Sequence, residues 1–73
     1  MAGTKEQKAL GAHLKELRTE KKLSMERLGY ASGISKESVR RIEKGVENPR
    51  FLTLLKLSEG LNVSLERLVS FKK

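Results

Sequence analysis

The chain contains no cysteine, no aspartate and no tryptophan, and it has only one proline, one histidine and three aromatic rings. Without cysteine there is neither a disulfide staple nor a thiolate metal ligand. A lone His13 has no second His or Cys to complete a metal site, so the sequence predicts no metal and an ordinary exposed helix position for that residue. The nine acids are all Glu and the six glycines stand singly, which leaves no Gly-rich phosphate loop. With so few groups for catalysis or cofactor binding, no enzyme is expected, and no cofactor or small-molecule ligand either. No apolar run approaches the roughly 18 residues of a membrane span, and the start, MAGTKEQKAL, lacks the apolar core of a signal peptide. A cytoplasmic location is expected. The shortage of aromatics also argues against a membrane-surface helix and against stacking on single-stranded RNA.

What the chain does have is positive charge and leucine. Sixteen Lys and Arg against nine acids give a net charge of +7 and a pI near 10.1. The excess is spread over the whole length, as a nucleic-acid partner or a merely solubilising surface would have it. Seventy-three residues suffice for one compact domain, residues 1–73, whose stability must come from helix packing.

Five helices are predicted. Thr4-x-x-Gln7 fits a capping box, and Leu10, Leu14 and Leu17 then repeat on one helical face to about Lys21 or Lys22. Leu23 enters the core and Ser24 caps a second helix, with Leu28 and Ala31 inward, Gly29 at a close crossing and Gly33 in a left-handed turn. Ile34 plugs that turn, and Ser35 caps a third helix that stops at Gly45. After the loop Val46-Glu47-Asn48-Pro49, a fourth helix carries Leu54, Leu55, Leu57 and Leu61, with Gly60 a weak point and Asn62 a left-handed cap. Ser64 caps a fifth, with Leu65, Leu68 and Val69 inward. The fold class is a compact all-α bundle.

The third helix is the most informative element. At about 100° per residue, Lys36, Glu37, Arg40, Arg41 and Lys44 fall within an arc of roughly 140°, while Val39 and Ile42 lie opposite. The apolar side must dock on other helices. The outward side, four cations to one anion, points to a polyanion in front of it.

In these features the chain resembles the Cro/repressor-type (XRE-like) helix-turn-helix DNA-binding proteins. The residues that carry the likeness run from Leu10 to Leu68: Leu17-Arg18, Leu23-Ser24, Gly29, Gly33-Ile34-Ser35, Val39, Ile42-Glu43-Lys44-Gly45, Asn48-Pro49, Leu54 and Leu61-Asn62-Val63-Ser64. The resemblance implies a five-helix, lambda-repressor-like domain with its helix-turn-helix motif at about residues 24–45. The third helix would enter the major groove and the second would cross the backbone. It implies a transcriptional regulator of double-stranded DNA, a repressor or controller acting as a homodimer on a near-palindromic operator. Lys36, Glu37 and Arg41 match base-reading positions. Ser24, Met25, Ser35, Arg40, Lys44 and Arg50 match positions that meet the DNA backbone. Arg18 and Glu43 match a partly buried salt bridge, though two solvated charges would also fit the sequence, and Gly33 matches the structural turn.

Arg41 can pair bidentately with guanine O6 and N7, and Lys36 can reach the same acceptors. Glu37 can accept from cytosine N4, repel unwanted DNA or pair with Arg41 one turn on. Two positions depart from the family pattern. Met25 stands where a phosphate-binding Gln is frequent, which leaves a backbone N–H for that contact, and Gly29 replaces the usual Ala. Dimerisation would use the fifth helix, Leu65 to Phe71, with Phe71 either exposed as a contact or folded back on the core. With no second domain to sense a ligand, control would come from protein level or a partner. The competing reading is an antitoxin or adaptor, a protein-interaction module on the same fold.

Overall fold

In the computed structural model, which describes residues 3–71, the elements are α1 (Lys5–Glu20), α2 (Met25–Ser32), α3 (Lys36–Glu43), α4 (Phe51–Leu61) and α5 (Leu65–Val69). Four of these helices begin at a side-chain cap. Thr4, Ser24, Ser35 and Ser64 each accept a hydrogen bond from the backbone N–H three residues on, at Gln7, Arg27, Ser38 and Arg67. At Thr4 the Gln7 side chain answers the cap's own N–H, completing the box. Only α4 starts without a side-chain cap, at Arg50.

Helices α1 to α4 also end alike. Lys22, Gly33, Gly45 and Asn62 take left-handed backbone, with φ of 58°, 75°, 76° and 57°. The next residue's N–H then donates to a carbonyl five residues back: Leu23 to Arg18, Ile34 to Gly29, Val46 to Arg41 and Val63 to Ser58. This closure satisfies the last free carbonyls and drops an apolar residue just past the turn. Leu23, Ile34 and Val63 pack against the core in this way, whereas Val46 stays exposed. Lys22 fills the left-handed position without being Gly or Asn, so the sequence carried no signal of it.

The core is Leu14 and Leu17 of α1, Leu28 of α2, Val39 and Ile42 of α3, Leu57 and Leu61 of α4, and Leu68 of α5. Helix α2 packs on α3 and α4, and α1 packs on α3 and α5. The α1–α3 crossing is close because position 11 is Gly: a Cβ there would lie 2.4 Å from the Ile42 carbonyl oxygen.

Four expectations need correction. Ala31 and Val69 face solvent instead of the core, and Ser32, one residue on, takes the buried place in α2. His13 is not an ordinary exposed residue: its Nε2 lies 2.8 Å from the Arg67 carbonyl oxygen, tying α1 to the last turn of α5. Phe71 folds back toward that imidazole, ring centroids 6.1 Å apart. Gly60 is more than a weak point, since a Cβ there would meet the Ser32 hydroxyl at 2.1 Å where α2 packs on α4. Among the described residues no helix is long and apolar enough to cross a membrane.

Candidate nucleic-acid interface

Helix α3 is short, and its placement rests on its inner side and its last turn. Val39 and Ile42 are fully enclosed by the core. At the C-terminal end, Glu43 receives Arg18 Nε at 2.6 Å and Nη2 at 3.1 Å, a two-pronged pair, while Arg18 Nη1 donates to the Leu23 carbonyl at 2.7 Å. One guanidinium therefore joins α1, the chain entering α2 and the end of α3. The side chains of Arg18 and Glu43 are only 10% and 3% exposed. Buried pairs of this kind fix relative positions more than they add stability. Gly33, left-handed at the end of α2, sets the turn between the two motif helices.

With its inner side anchored, α3 turns Lys36, Glu37, Arg41 and Lys44 to solvent, with Arg40 half-buried among them. These residues do not stand independently. Glu37 hydrogen-bonds Arg40 and lies 3.7 Å from Arg41 Nη1. Arg41 Nε in turn donates to Glu47 Oε1 at 2.9 Å. The Arg40 hydrogen bond holds the Glu37 carboxyl below the usual Glu range against the opposing effect of desolvation, with help from the charges of Arg40, Arg41 and Lys44. Arg40 is correspondingly pushed up by its hydrogen bond to Glu37. Lys36, Lys44 and Arg50 have no ion-pair partner among the described residues.

The expected backbone-binding positions divide by what their side chains already do. The Ser24 and Ser35 hydroxyls accept the Arg27 and Ser38 N–H groups as caps. Met25 packs its side chain against the core. These three positions therefore offer an anion the helix-start backbone, whose first N–H groups have no partner within the helix. Arg40 and Lys44 lie on the outer side of α3, and Arg50 is exposed at the start of α4.

Glu47 is the residue of this surface that sequence reasoning missed. Its tie to Arg41 spans six positions and crosses the Gly45 turn, so no helical spacing signals it. Also unforeseen are the exposed Tyr30 on α2 and the exposed Phe51 and Leu52 at the start of α4. The surface as built carries Lys36, Arg40, Arg41, Lys44 and Arg50 against Glu37 and Glu47. Exposed and half-buried cations beside helix-start N–H groups suit phosphate and base edges better than a small ligand.

A profile of helix-turn-helix domains matches residues 14–68. Among curated proteins, the chain is similar to the HTH-type transcriptional regulator SutR of Escherichia coli, 38% identical over 61 residues that make up 84% of this chain and 34% of SutR. It is also similar to an uncharacterized HTH-type transcriptional regulator, y4dJ, of Sinorhizobium fredii: 36% identical, over 86% of this chain and 82% of that protein. Among solved structures, the restriction-modification controller protein C.AhdI from Aeromonas hydrophila superposes with a TM-score of 0.87 at 34% identity, covering 89% of this chain and 98% of that one. The chain thus spans about a third of SutR, about four-fifths of y4dJ and nearly all of C.AhdI. It belongs to the helix-turn-helix family.

Proposed function

We propose that this member of the helix-turn-helix family is a sequence-specific regulator of transcription that binds double-stranded DNA, a repressor or controller working as a homodimer on a near-palindromic operator. The observation that carries the reading is the outer side of α3: a cationic row held rigidly by Val39, Ile42 and the Arg18–Glu43 bridge. The names of SutR, y4dJ and C.AhdI, all regulators or controllers, support it. In this reading Lys36, Glu37 and Arg41 read base edges in the major groove. Arg40, Lys44 and Arg50 meet phosphates through side chains, and Ser24, Met25 and Ser35 through the helix starts. Cytoplasmic residence, where DNA is met, belongs to the same reading.

The dimer contact is assigned to α5 and the residues after it, Leu65 to Phe71. Val69 supports this by leaving an apolar side chain 42% exposed on that helix. Phe71, which leans on His13, contributes at most its outer edge. In the dimer the two copies of α3 should sit about 34–36 Å apart, one turn of DNA.

Selection of bound sites from a random duplex pool, run on the wild type, Arg41→Ala and Lys44→Ala, tests the assignment. The wild type should yield a two-fold symmetric consensus. Arg41→Ala should relax one base position per half-site at a cost of about 1–3 kcal/mol on the preferred sequence, and Lys44→Ala should weaken all sequences alike. Affinity should fall steeply with salt, by about 0.9 log units per phosphate neutralised for each tenfold rise. Binding that is flat in salt would remove DNA as the ligand. Equal losses for both variants on every sequence would make Arg41 a phosphate contact only.

A further inference from the structure

We infer that Glu47, a residue of the loop after α3, is a positioning residue that sets the specificity of Arg41; this rests on the reading of Arg41 as a base contact. Glu47 does not reach Arg41 by chance of a swinging loop. The Val46 N–H donates to the Arg41 carbonyl oxygen at 3.1 Å across the left-handed Gly45 turn, so the backbone just before Glu47 is fastened to Arg41 itself. From there Glu47 Oε1 accepts Arg41 Nε at 2.9 Å, and its side chain is partly sheltered, 31% exposed.

Two consequences follow from guanidinium chemistry. The group is planar and presents its donors as a fork, and a free Arg on a flexible stem can offer any edge to any acceptor. With Nε engaged, the edge left to a ligand is the Nη1/Nη2 end, which can straddle guanine O6 and N7. Glu37 approaches that end at 3.7 Å, but its hydrogen bonds go to Arg40, so it does not block the end as a direct bond would. The second consequence is electrostatic. A carboxylate fixed beside Arg41 offsets its attraction to phosphate, which every sequence offers, without replacing the paired acceptors of a guanine. Since specificity is a difference of two affinities, weakening the unspecific one widens it.

The test compares wild type, Glu47→Ala, Glu47→Gln, Arg41→Ala and the Arg41→Ala/Glu47→Ala double variant. It measures affinity for a random duplex and for the selected site and its single-base variants. Glu47→Ala should raise random-duplex affinity by about twofold to fivefold, the range an exposed ion pair supports. It should also lower discrimination by a similar factor at the one base position that Arg41→Ala relaxes. Glu47→Gln removes the charge but keeps a carbonyl oxygen for Nε. Random-duplex affinity should therefore rise while discrimination at that position stays near wild type. In the Arg41→Ala background, Glu47→Ala should change discrimination there no further. Thermal melts of both single Glu47 variants should stay close to wild type, as for a surface change.

Unchanged discrimination in Glu47→Ala, with Arg41→Ala still relaxing its base, overturns the role of Glu47 and leaves the DNA reading standing. A loss in Glu47→Gln as large as in Glu47→Ala overturns the positioning by hydrogen bond. A wild type that selects no consensus overturns both this inference and the function it rests on.

Discussion

Replacing Arg18 with Ala should remove a large part of the stability of this domain while leaving its DNA preference intact. The substitution deletes three hydrogen bonds, two to Glu43 and one to the Leu23 carbonyl. It leaves a carboxylate that is only 3% exposed without its counter-charge. Removing one member of a buried pair costs about 3–5 kcal/mol, because the other charge stays desolvated and alone. Glu43 is in the last turn of α3, where a modest shift brings it to water, so the lower end, about 3 kcal/mol, is the expected loss. A domain of this size has about 4–11 kcal/mol in total. At about 4–8 °C per kcal/mol, the melting temperature should fall by about 12–24 °C. Urea denaturation followed by helical circular dichroism would measure the loss directly. A cycle with Glu43→Ala should give a coupling of about 2 kcal/mol, and an Arg18→Met/Glu43→Leu pair should recover much of the stability, since apolar side chains of similar size need no partner. Binding assays well below the melting temperature should return the wild-type base preference. A loss under about 1 kcal/mol, or additive single effects, would refute the claim that this bridge holds α1, the entry to α2 and α3 together.

Two further outcomes are expected. Gly11→Ala should destabilise the domain by at least about 2 kcal/mol in chemical denaturation, although Ala is the better helix former by about 1 kcal/mol. The added Cβ would lie 2.4 Å and 2.6 Å from the carbonyl oxygens of Ile42 and Glu43, backbone atoms that cannot rotate away, so a neutral or stabilised variant would contradict the close α1–α3 crossing. The Glu37 carboxyl, followed by its carbon chemical shift against pH, should titrate below the usual Glu range because the Arg40 hydrogen bond favours its charged form. Its folded value is lowered, so its contribution to stability is present above the ordinary Glu range and fades as pH falls through the folded midpoint. The effect is small for so exposed a group, and added salt or Arg40→Ala should move the midpoint back up. A midpoint within the ordinary range at low salt would dissolve the Glu37–Arg40 pair.

How much of this was legible in the sequence depends on the reach of each interaction. Ser24, Ser35 and Ser64 act on an N–H three residues away, and Leu10, Leu14 and Leu17 recur within one helix. Such features could be read because cause and effect lie on the same short stretch of chain. Lys22 escaped because any residue can be forced left-handed, at a cost of about 1–2 kcal/mol, when the apolar residue after it has a core to enter. Gly11, His13 and Gly60 escaped for the opposite reason: their partners, Ile42, Arg67 and Ser32, lie on other helices. Ala31 and Val69 show the limit of periodicity itself, since in helices of eight and five residues a face is decided by one or two neighbours and not by a repeat.

The same limit bears on the functional surface. Helical spacing alone gives α3 four outward cations and one anion, and each of the four would count fully toward a polyanion. In the folded chain Glu37 is committed to Arg40, and Glu47 arrives from beyond the Gly45 turn to hold Arg41. Lys36 and Lys44 are thus the α3 cations most readily available to phosphate. To meet a phosphate, Arg40 would have to exchange its intramolecular carboxylate for it, gaining only the difference, whereas Arg41 can keep Glu47 on Nε and offer its Nη1/Nη2 end. Under the proposed function, a surface arranged in this way would draw DNA in through its unpaired lysines and Arg50. With Nε held by Glu47, Arg41 would keep its Nη1/Nη2 end for a partner, and the paired acceptors of a guanine edge suit that end better than a passing phosphate does.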